Sequence, residues 1–117
     1  MSEVTIYHNP RCSKSRQTMQ LLEQQGIQPT VHLYLRDALS EATIKQLLQQ
    51  LGFSSARELV RSKEAAFTEA GLSATSSEQQ LIAAMAAHPQ LIERPIVVVG
   101  QRAKLGRPPE AVLELLS

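Results

Sequence analysis

The sequence predicts an α/β fold in the order β-α-β, then a helical insertion, then β-β-α, around a small mixed sheet. Three observations carry this prediction: short β-branched runs near both ends of the chain, a helical stretch between the first two of them, and amphipathic periodicity through the middle. With 117 residues, of which 43% are hydrophobic, the chain is long enough for one compact core but not for two. We therefore expect a single domain over residues 1–117.

The first third of the chain predicts a β-α-β unit. Val4 to Tyr7 is a β-branched and aromatic run that stops at an Asn-Pro turn, which indicates strand one. Residues 13–25 favour a helix, and Gly26 follows where a left-handed C-cap is expected. Residues 31–35 alternate in polarity after a proline and indicate strand two. The Asn-Pro turn therefore connects strand one to helix one.

The middle third of the chain predicts a series of helices. Apolar residues recur at helical spacing from Ile44 to Leu51, which indicates an amphipathic helix. Two shorter helices are expected over about residues 56–60 and 64–70. Ser76 with Gln79 resembles a capping box, so a fourth helix is expected to begin there. These helices form the insertion between the two strand-containing regions.

The last third predicts a strand pair and a closing helix. Ile96 to Val99 is a continuous β-branched run typical of a strand buried on both faces, and Arg102 to Leu105 is expected to return beside it as a hairpin. Pro108 and Pro109 suit the first turn of a final helix. This order of elements matches a thioredoxin-like arrangement, in which helices cover a small mixed sheet.

The charge balance excludes a broadly basic surface. Twelve basic and eleven acidic residues give a formal charge of +1, so we expect no nucleic-acid or anionic-membrane partner, and any anion site must be local. Eight of the basic residues are Arg, whose donors form a rigid fork suited to oxyanions. The sequence shows no signal-peptide or transmembrane pattern, and its single cysteine suits a reducing compartment, so a cytoplasmic location is expected.

Cys12 is the main candidate for chemistry. It lies between strand one and helix one, so its sulfur should meet the unpaired N–H groups and the positive dipole end of the helix, which stabilise a thiolate and a bound oxyanion. Arg11, Lys14 and Arg16 add positive charge nearby. The alternative is a buried cysteine that acts as a small hydrophobe. Ser15 stands where a dithiol motif has its second cysteine, so an oxidised Cys12 needs an external thiol.

One histidine and two arginines are further candidates. His8, four residues before Cys12, is expected either to support a thiolate or to be an ordinary exposed strand-end residue. Arg94 and Arg107 each directly precede a proline, which restricts their backbone to extended conformations. In a thioredoxin-like fold the proline that opens the buried strand is commonly cis and lies beside the cysteine, which aims Arg94 at Cys12. The alternative is that each arginine is a solvated surface charge. The histidines are too far apart in sequence to indicate a metal site.

Four separated motifs resemble the glutathione- and glutaredoxin-dependent arsenate reductases of the ArsC family. They are IYHNPRCSKSR, LVRS, HPQLIERPIVV and LGRPPEAVLELL, and they occur in the family's order over nearly the whole chain. The resemblance implies that Cys12 is the catalytic nucleophile and that His8 helps to keep it ionised. It also implies that three arginines bind the oxyanion and its thiol adducts: Arg61, Arg94 and Arg107.

The activity that this resemblance implies is the reduction of arsenate to arsenite. Cys12 attacks arsenate, glutathione attacks the adduct as co-substrate, and glutaredoxin closes the cycle, with no bound cofactor or metal. Two alternatives stay open. One is an Spx-type transcription regulator that binds RNA polymerase, against which Ser15 and the retained arginines argue. The other is a thiol-transfer protein whose arginines recognise the carboxylates of glutathione.

Overall fold

The computed structural model describes residues 3–116, which form two compact units. The first unit consists of residues 3–37 and 94–116, and the second is Ala38–Glu93. The prediction of one domain over residues 1–117 stays a prediction, and each unit is described by itself. Along the described residues, no helix is long and apolar enough to cross a bilayer.

A four-stranded mixed sheet forms the centre of the first unit. Its strands are β1 (Val4–Tyr7), β2 (Thr30–His32), β3 (Ile96–Val99) and β4 (Arg102–Leu105), in the spatial order β2-β1-β3-β4. β1 and β2 are parallel and are joined by helix α1 (Ser13–Gln24), whereas the pairs β1–β3 and β3–β4 are antiparallel. This topology confirms the predicted α/β fold class.

The core of the first unit lies where the sheet meets its helices. Ile6 of β1 pairs in register with Val97 of β3, and both side chains are fully buried. They belong to one cluster with Leu22 of α1 and with Val112 and Leu115 of the closing helix. Each such side chain contributes about 1.5–3 kcal/mol by leaving water, so this cluster holds α1 and the closing helix on the sheet.

The register brings four connecting segments to one end of the sheet. Tyr7, the last residue of β1, pairs with His32 at the end of β2 and with Ile96 at the start of β3. Ile96 pairs in turn with Leu105, the last residue of β4. The segments that leave β1, β2 and β4, and the segment that enters β3, therefore lie together. This edge is named the loop end of the sheet.

Two elements of the first unit differ from their predicted form. The second strand was expected over residues 31–35, but β2 ends at His32 because the carbonyl of Leu33 accepts hydrogen bonds from Arg36 N–H and Asp37 N–H at 3.0 and 2.9 Å. These local bonds turn the chain and end the strand. The closing helix, Pro109–Leu116, is present but has 3-10 rather than α geometry.

The second unit is helical, as predicted for the insertion. Helix α2 (Glu41–Leu51) begins where the Ser40 hydroxyl accepts a hydrogen bond from Thr43 N–H, and it ends at Gly52, whose φ of 75° is left-handed. The remaining elements are a 3-10 helix (Ala56–Glu58), helix α3 (Ala65–Glu69), helix α4 (Glu78–Ala87) and a second 3-10 helix (Pro89–Leu91).

The predicted capping box of the fourth helix is displaced by one residue. Ser77, not Ser76, caps α4: its hydroxyl accepts from Gln80 N–H at 3.1 Å, and the Gln80 side chain accepts from Ser77 N–H at 2.8 Å. The Ser76 hydroxyl instead accepts from Ser73 N–H at 2.9 Å in the preceding turn. The prediction of Ser76 with Gln79 as the box was therefore wrong, although the helix and its type of cap are present.

Candidate active site

Cys12 is the N-cap residue of α1 and lies at the loop end of the sheet. Its φ of −94° and ψ of 125° are extended, its N–H donates to the carbonyl of Asn9 at 3.0 Å, and its own carbonyl accepts from Arg16 N–H at 3.0 Å. The sulfur is thus attached where the first N–H groups of the helix have no acceptor within the helix. The residue is 9% exposed, so its position, not its exposure, distinguishes it from an inert core cysteine.

Ser15 connects the loop before Cys12 to the first turn of α1. Its fully buried hydroxyl lies 2.6 Å from Nδ1 of His8 and accepts a hydrogen bond from Asn9 N–H at 3.0 Å. Sequence reasoning treated Ser15 only as the replacement of a second cysteine and missed this structural role. The sequence feature that could have indicated this role is the position of Ser15 on the first turn of α1, which follows directly from the loop.

His8 is a half-buried histidine rather than a freely exposed one. Its burial, and to a smaller extent the positive charge of Arg16, lowers the pKa of His8 below the ordinary 6.5. The imidazole is therefore neutral around neutral pH, and it contacts Ser15 as a hydrogen-bonding group rather than as a cation. The predicted support of a Cys12 thiolate by His8 stays a prediction.

Two more hydrogen bonds fix the loop that leads into Cys12. The N–H of Arg11 donates to Oδ1 of Asn9 at 3.0 Å, and Nη1 of Arg16 donates to the carbonyl of Pro10 at 2.9 Å. The second bond places the Arg16 guanidinium against the loop. These contacts give the loop a defined shape and bring positive charge to the segment that carries the cysteine.

Arg94 and Arg107 are brought together at the loop end. Nε of Arg107 donates to the carbonyl of Arg94 at 2.8 Å, and the peptide bonds from both arginines to the following prolines are cis. Arg107 is exposed, whereas Arg94 is half-buried. Nε of Arg94 is buried and has no acceptor among residues 3–116, a state that costs about 1–3 kcal/mol and that a bound oxyanion would relieve.

Gly106 allows the segment before Arg107 to approach its neighbours closely. A Cβ atom at this position would clash with Oγ1 of Thr18 on α1 and would lie 2.7 Å from Cγ of Pro95. The N–H of Gly106 donates to the carbonyl of Pro95 at 2.9 Å. Gly106 is thus a positioning residue that sequence reasoning missed, since nothing local to the LGRPP motif indicates the contact with Thr18.

Arg61 lies in the second unit, where two carboxylates already contact its guanidinium. Nη1 is 3.1 Å from Oε1 of Glu64, and Nε is 3.3 Å from Oε1 of Glu93. The side chain is 24% exposed, so solvent screens these ion pairs only in part. An oxyanion that bound to Arg61 would have to compete with both carboxylates. The predicted role of Arg61 in substrate binding stays a prediction.

The groups at the loop end offer nucleophilic and anion-binding chemistry. A thiol such as that of Cys12 can act as a nucleophile, and a helix N-terminus and the guanidiniums of Arg94 and Arg107 are groups that can donate hydrogen bonds to an oxyanion. Across residues 3–116, no three His, Cys, Asp or Glu side chains are grouped so that they could hold a metal ion.

A family model decides the relationship of this chain to known proteins. The model of the ArsC family matches residues 7–115, from the last residue of β1 into the closing helix. The chain belongs to the ArsC family. The matched range of this ArsC chain contains the cysteine loop and the three arginines of the predicted site. The resemblance stated from four motifs is therefore confirmed at the level of the family.

Similar proteins support the same assignment. "Uncharacterized protein YfgD" of Escherichia coli K12 is 53% identical over 115 residues, which cover 97% of each chain. "Arsenate reductase" of Haemophilus influenzae is 46% identical and covers 97% of this ArsC chain and 98% of its own. The solved structure "Arsenate reductase from Vibrio cholerae" is 52% identical and superimposes with a TM-score of 0.93 over 97% of this chain and 98% of its own. This likeness confirms the thioredoxin-like fold.

Proposed function

We propose that this ArsC-family chain reduces arsenate to arsenite, with Cys12 as nucleophile and with glutathione and glutaredoxin as the electron source. The observation that carries the proposal is the place of Cys12 at the N-cap of α1. A helix N-terminus stabilises both a thiolate and the oxyanion that the thiolate attacks. The relatives from Haemophilus influenzae and Vibrio cholerae, whose names give them arsenate reductase activity, support the choice of oxyanion.

The proposed reaction consists of two thiol steps. The Cys12 thiol displaces one oxygen of arsenate as water, which forms a bond between sulfur and arsenic(V). A glutathione thiolate then attacks the Cys12 sulfur. The sulfur–arsenic bond breaks, its electron pair stays on arsenic, and arsenite leaves after protonation while Cys12 and glutathione form a mixed disulfide. Arsenic gains the two electrons that the two thiols lose.

Regeneration of Cys12 needs a thiol from outside the chain. Cys12 is the only cysteine of the 117 residues. Ser15 stands at the position of a second cysteine, and its buried hydroxyl is hydrogen-bonded to the loop. Glutaredoxin or a second glutathione attacks the mixed disulfide, takes over the glutathione moiety and releases the Cys12 thiol. We propose the cytoplasm as the location, because a reducing thiol pool is available there.

Three arginines hold the oxyanion in this proposal. Arg94 offers a buried Nε donor without an acceptor among residues 3–116, and Arg107 is bonded to the Arg94 carbonyl. Arg61 is the third, and binding to it requires rearrangement of its ion pairs with two glutamates. Preorganised guanidiniums stabilise the charge on the oxyanion and on its adduct with sulfur.

A coupled assay tests the proposal. Purified protein with arsenate, glutathione, glutaredoxin and glutathione reductase is expected to oxidise NADPH in proportion to arsenite formed. Cys12→Ser is expected to abolish this turnover, whereas the matched control Ser13→Ala, an exposed neighbour, keeps it. Turnover by Cys12→Ser at the rate of the unmodified chain contradicts the mechanism. Turnover of a glutathionylated peptide, but not of arsenate, would favour the thiol-transfer alternative.

A further inference from the structure

We infer that a cavity beside the Cys12 loop binds the reducing co-substrate, a short thiol peptide with free carboxylates of the glutathione type. The inference rests on the proposed function and adds to it the binding site of the second substrate. This site is separate from the arginines assigned to the oxyanion. Its parts all belong to the first unit, residues 3–37 and 94–116.

The cavity opens between two segments that leave the sheet at its loop end. Residues 8–11, which follow β1, form one wall, and Leu33, Leu35 and Arg36, which follow β2, form the other. Its volume of about 370 Å³ is near the lower limit for small-molecule sites, which range from about 300 to 1,000 Å³. The space is therefore suited to a molecule of tripeptide size rather than to a large cofactor.

The charge of the cavity selects for an anionic ligand. Arg11 and Arg36 are the charged lining residues, and the lining contains no Asp or Glu. Within residues 3–116 the Arg11 guanidinium donates to no side chain or carbonyl, and Arg36 has only an exposed ion pair with Asp37 at 3.2 Å. An exposed pair of this kind is weak, so Arg36 can exchange it for a ligand carboxylate. Glutathione carries two carboxylates, one for each arginine.

The apolar part of the cavity distinguishes a peptide from an inorganic anion. Pro10, Leu33 and Leu35 line it, and Leu35 is 45% exposed, which is unusual for a leucine in this chain. The methylene groups of a γ-glutamyl-cysteinyl peptide can cover this apolar surface, and its removal from water contributes favourable free energy to binding. Arsenate has no apolar surface to offer these residues. The lining therefore matches an organic thiol with carboxylates.

The cavity borders the chain segment that carries Cys12. Arg11 in its wall directly precedes Cys12, and consecutive Cα atoms lie about 3.8 Å apart. An extended tripeptide spans about 10 Å, which exceeds that spacing, and the proposal places its central cysteine at the Cys12 sulfur while a terminal carboxylate stays on an arginine. The arrangement explains how the attacking thiol is oriented without a second cysteine in the chain.

Direct binding tests the site without any dependence on arsenate. Calorimetric titration with S-methylglutathione, which cannot form a disulfide, is expected to show one site in the unmodified protein. Arg11→Ala and Arg36→Ala are each expected to weaken binding about fivefold, and the double variant more strongly. Arg102→Ala, an exposed arginine of β4 outside the cavity, is the control and should bind normally. The diamide of the ligand, without carboxylates, should bind weakly to every form.

Kinetics separate failure of the site from failure of the proposed function. The variant Arg36→Ala, which keeps Arg11 beside Cys12, is expected to raise the KM for glutathione about fivefold and to leave the KM for arsenate unchanged. An unchanged KM for glutathione, or a parallel rise in the KM for arsenate, overturns the inference while arsenate reduction stands. Binding of S-methylglutathione that depends on both arginines, in a protein that reduces no arsenate, sustains the site and refutes the arsenate activity. No binding by the unmodified protein overturns the inference.

Discussion

Nε of Arg107 donates a hydrogen bond of 2.8 Å to the carbonyl oxygen of Arg94, and so joins the segment after β4 to the segment before β3. This hydrogen bond orients the Arg107 guanidinium against the backbone of Arg94. Under the proposed function, a guanidinium fixed in this way is preorganised for an oxyanion, because less rotational freedom is lost when the ligand binds. A lysine has no donor in the position of Nε and cannot reproduce this arrangement.

Replacement of either arginine should damage the use of arsenate and spare the fold. We expect Arg94→Ala and Arg107→Ala to lower kcat/KM for arsenate by about tenfold to a hundredfold, since each removes charged donors from the oxyanion. Arg107 is exposed and loses one structural hydrogen bond, so its free energy of unfolding should change by only about 1 kcal/mol. Steady-state kinetics and circular dichroism check both points. Loss of the dichroism spectrum would instead make these arginines structural.

Replacement of Ser15 should destabilise the first unit. Ser15→Ala removes the acceptor of Asn9 N–H and the partner of His8 Nδ1 in a fully buried place, so we expect a loss of about 1–3 kcal/mol in the free energy of unfolding. Ser13→Ala, two residues earlier on the exposed side, should change it by less than about 0.5 kcal/mol. Urea denaturation measures both. Equal stability of the two variants would show that the Ser15 contacts contribute nothing.

The lowered pKa of His8 predicts a loss of stability in mild acid. Above the ordinary value of 6.5 the ring is neutral in both the folded and the unfolded chain, and His8 has no effect. As the pH falls through that value towards the lower folded pKa, the unfolded chain binds the proton first, and the free energy of unfolding decreases. The pKa of His8 is lowered mainly by burial and to a smaller extent by the positive charge of Arg16.

The variant His8→Gln isolates this contribution. Urea denaturation at about pH 7.5 and about pH 5.5 should show a larger loss on acidification in the unmodified protein than in His8→Gln. The two proteins differ only at residue 8, so the contributions of all other residues cancel in the comparison. An equal loss in the two proteins would mean that the folded chain does not resist protonation of His8.

Gly106→Ala should be destabilising for a steric reason. The added methyl group would clash with Oγ1 of Thr18 and press on Pro95, and overpacking of this kind costs about 1–3 kcal/mol. Thr18→Ala in the same chain should restore part of the loss. Gly26→Ala is the control: its Cβ meets nothing within 4 Å, so its cost arises from the positive φ of 76° and should not couple to Thr18. Thermal unfolding of the single and double variants measures the coupling.

Local patterns in the sequence predicted the elements that depend on local interactions. The β-branched run Ile96–Val99 and its partner Arg102–Leu105 have the predicted bounds, and Gly26 has the predicted left-handed backbone. The displaced capping box has a local explanation as well. Two serines followed by Glu and two glutamines satisfy the Ser-x-x-Gln spacing twice, so the sequence alone does not choose between Ser76 and Ser77.

The missed features depend on contacts between residues distant in the chain. Glu93 contacts Arg61 across 32 residues, and the close approach of Gly106 to Thr18 spans 88. No periodicity or motif encodes such pairs. The N-cap place of Cys12 was predictable because it follows from a strand, a turn and a helix in sequence, whereas the ion pairs of Arg61 depend on how the helical unit packs.

The buried hydroxyl of Ser15 also limits how this molecule could be converted into a self-sufficient dithiol reductant. A sulfur atom there is larger than oxygen and a poorer hydrogen-bonding partner, so Ser15→Cys would loosen the loop that presents the first thiol while adding the second. Under the proposed chemistry, each catalytic cycle therefore depends on the cell's supply of soluble thiols, because the chain has no internal store of reducing equivalents.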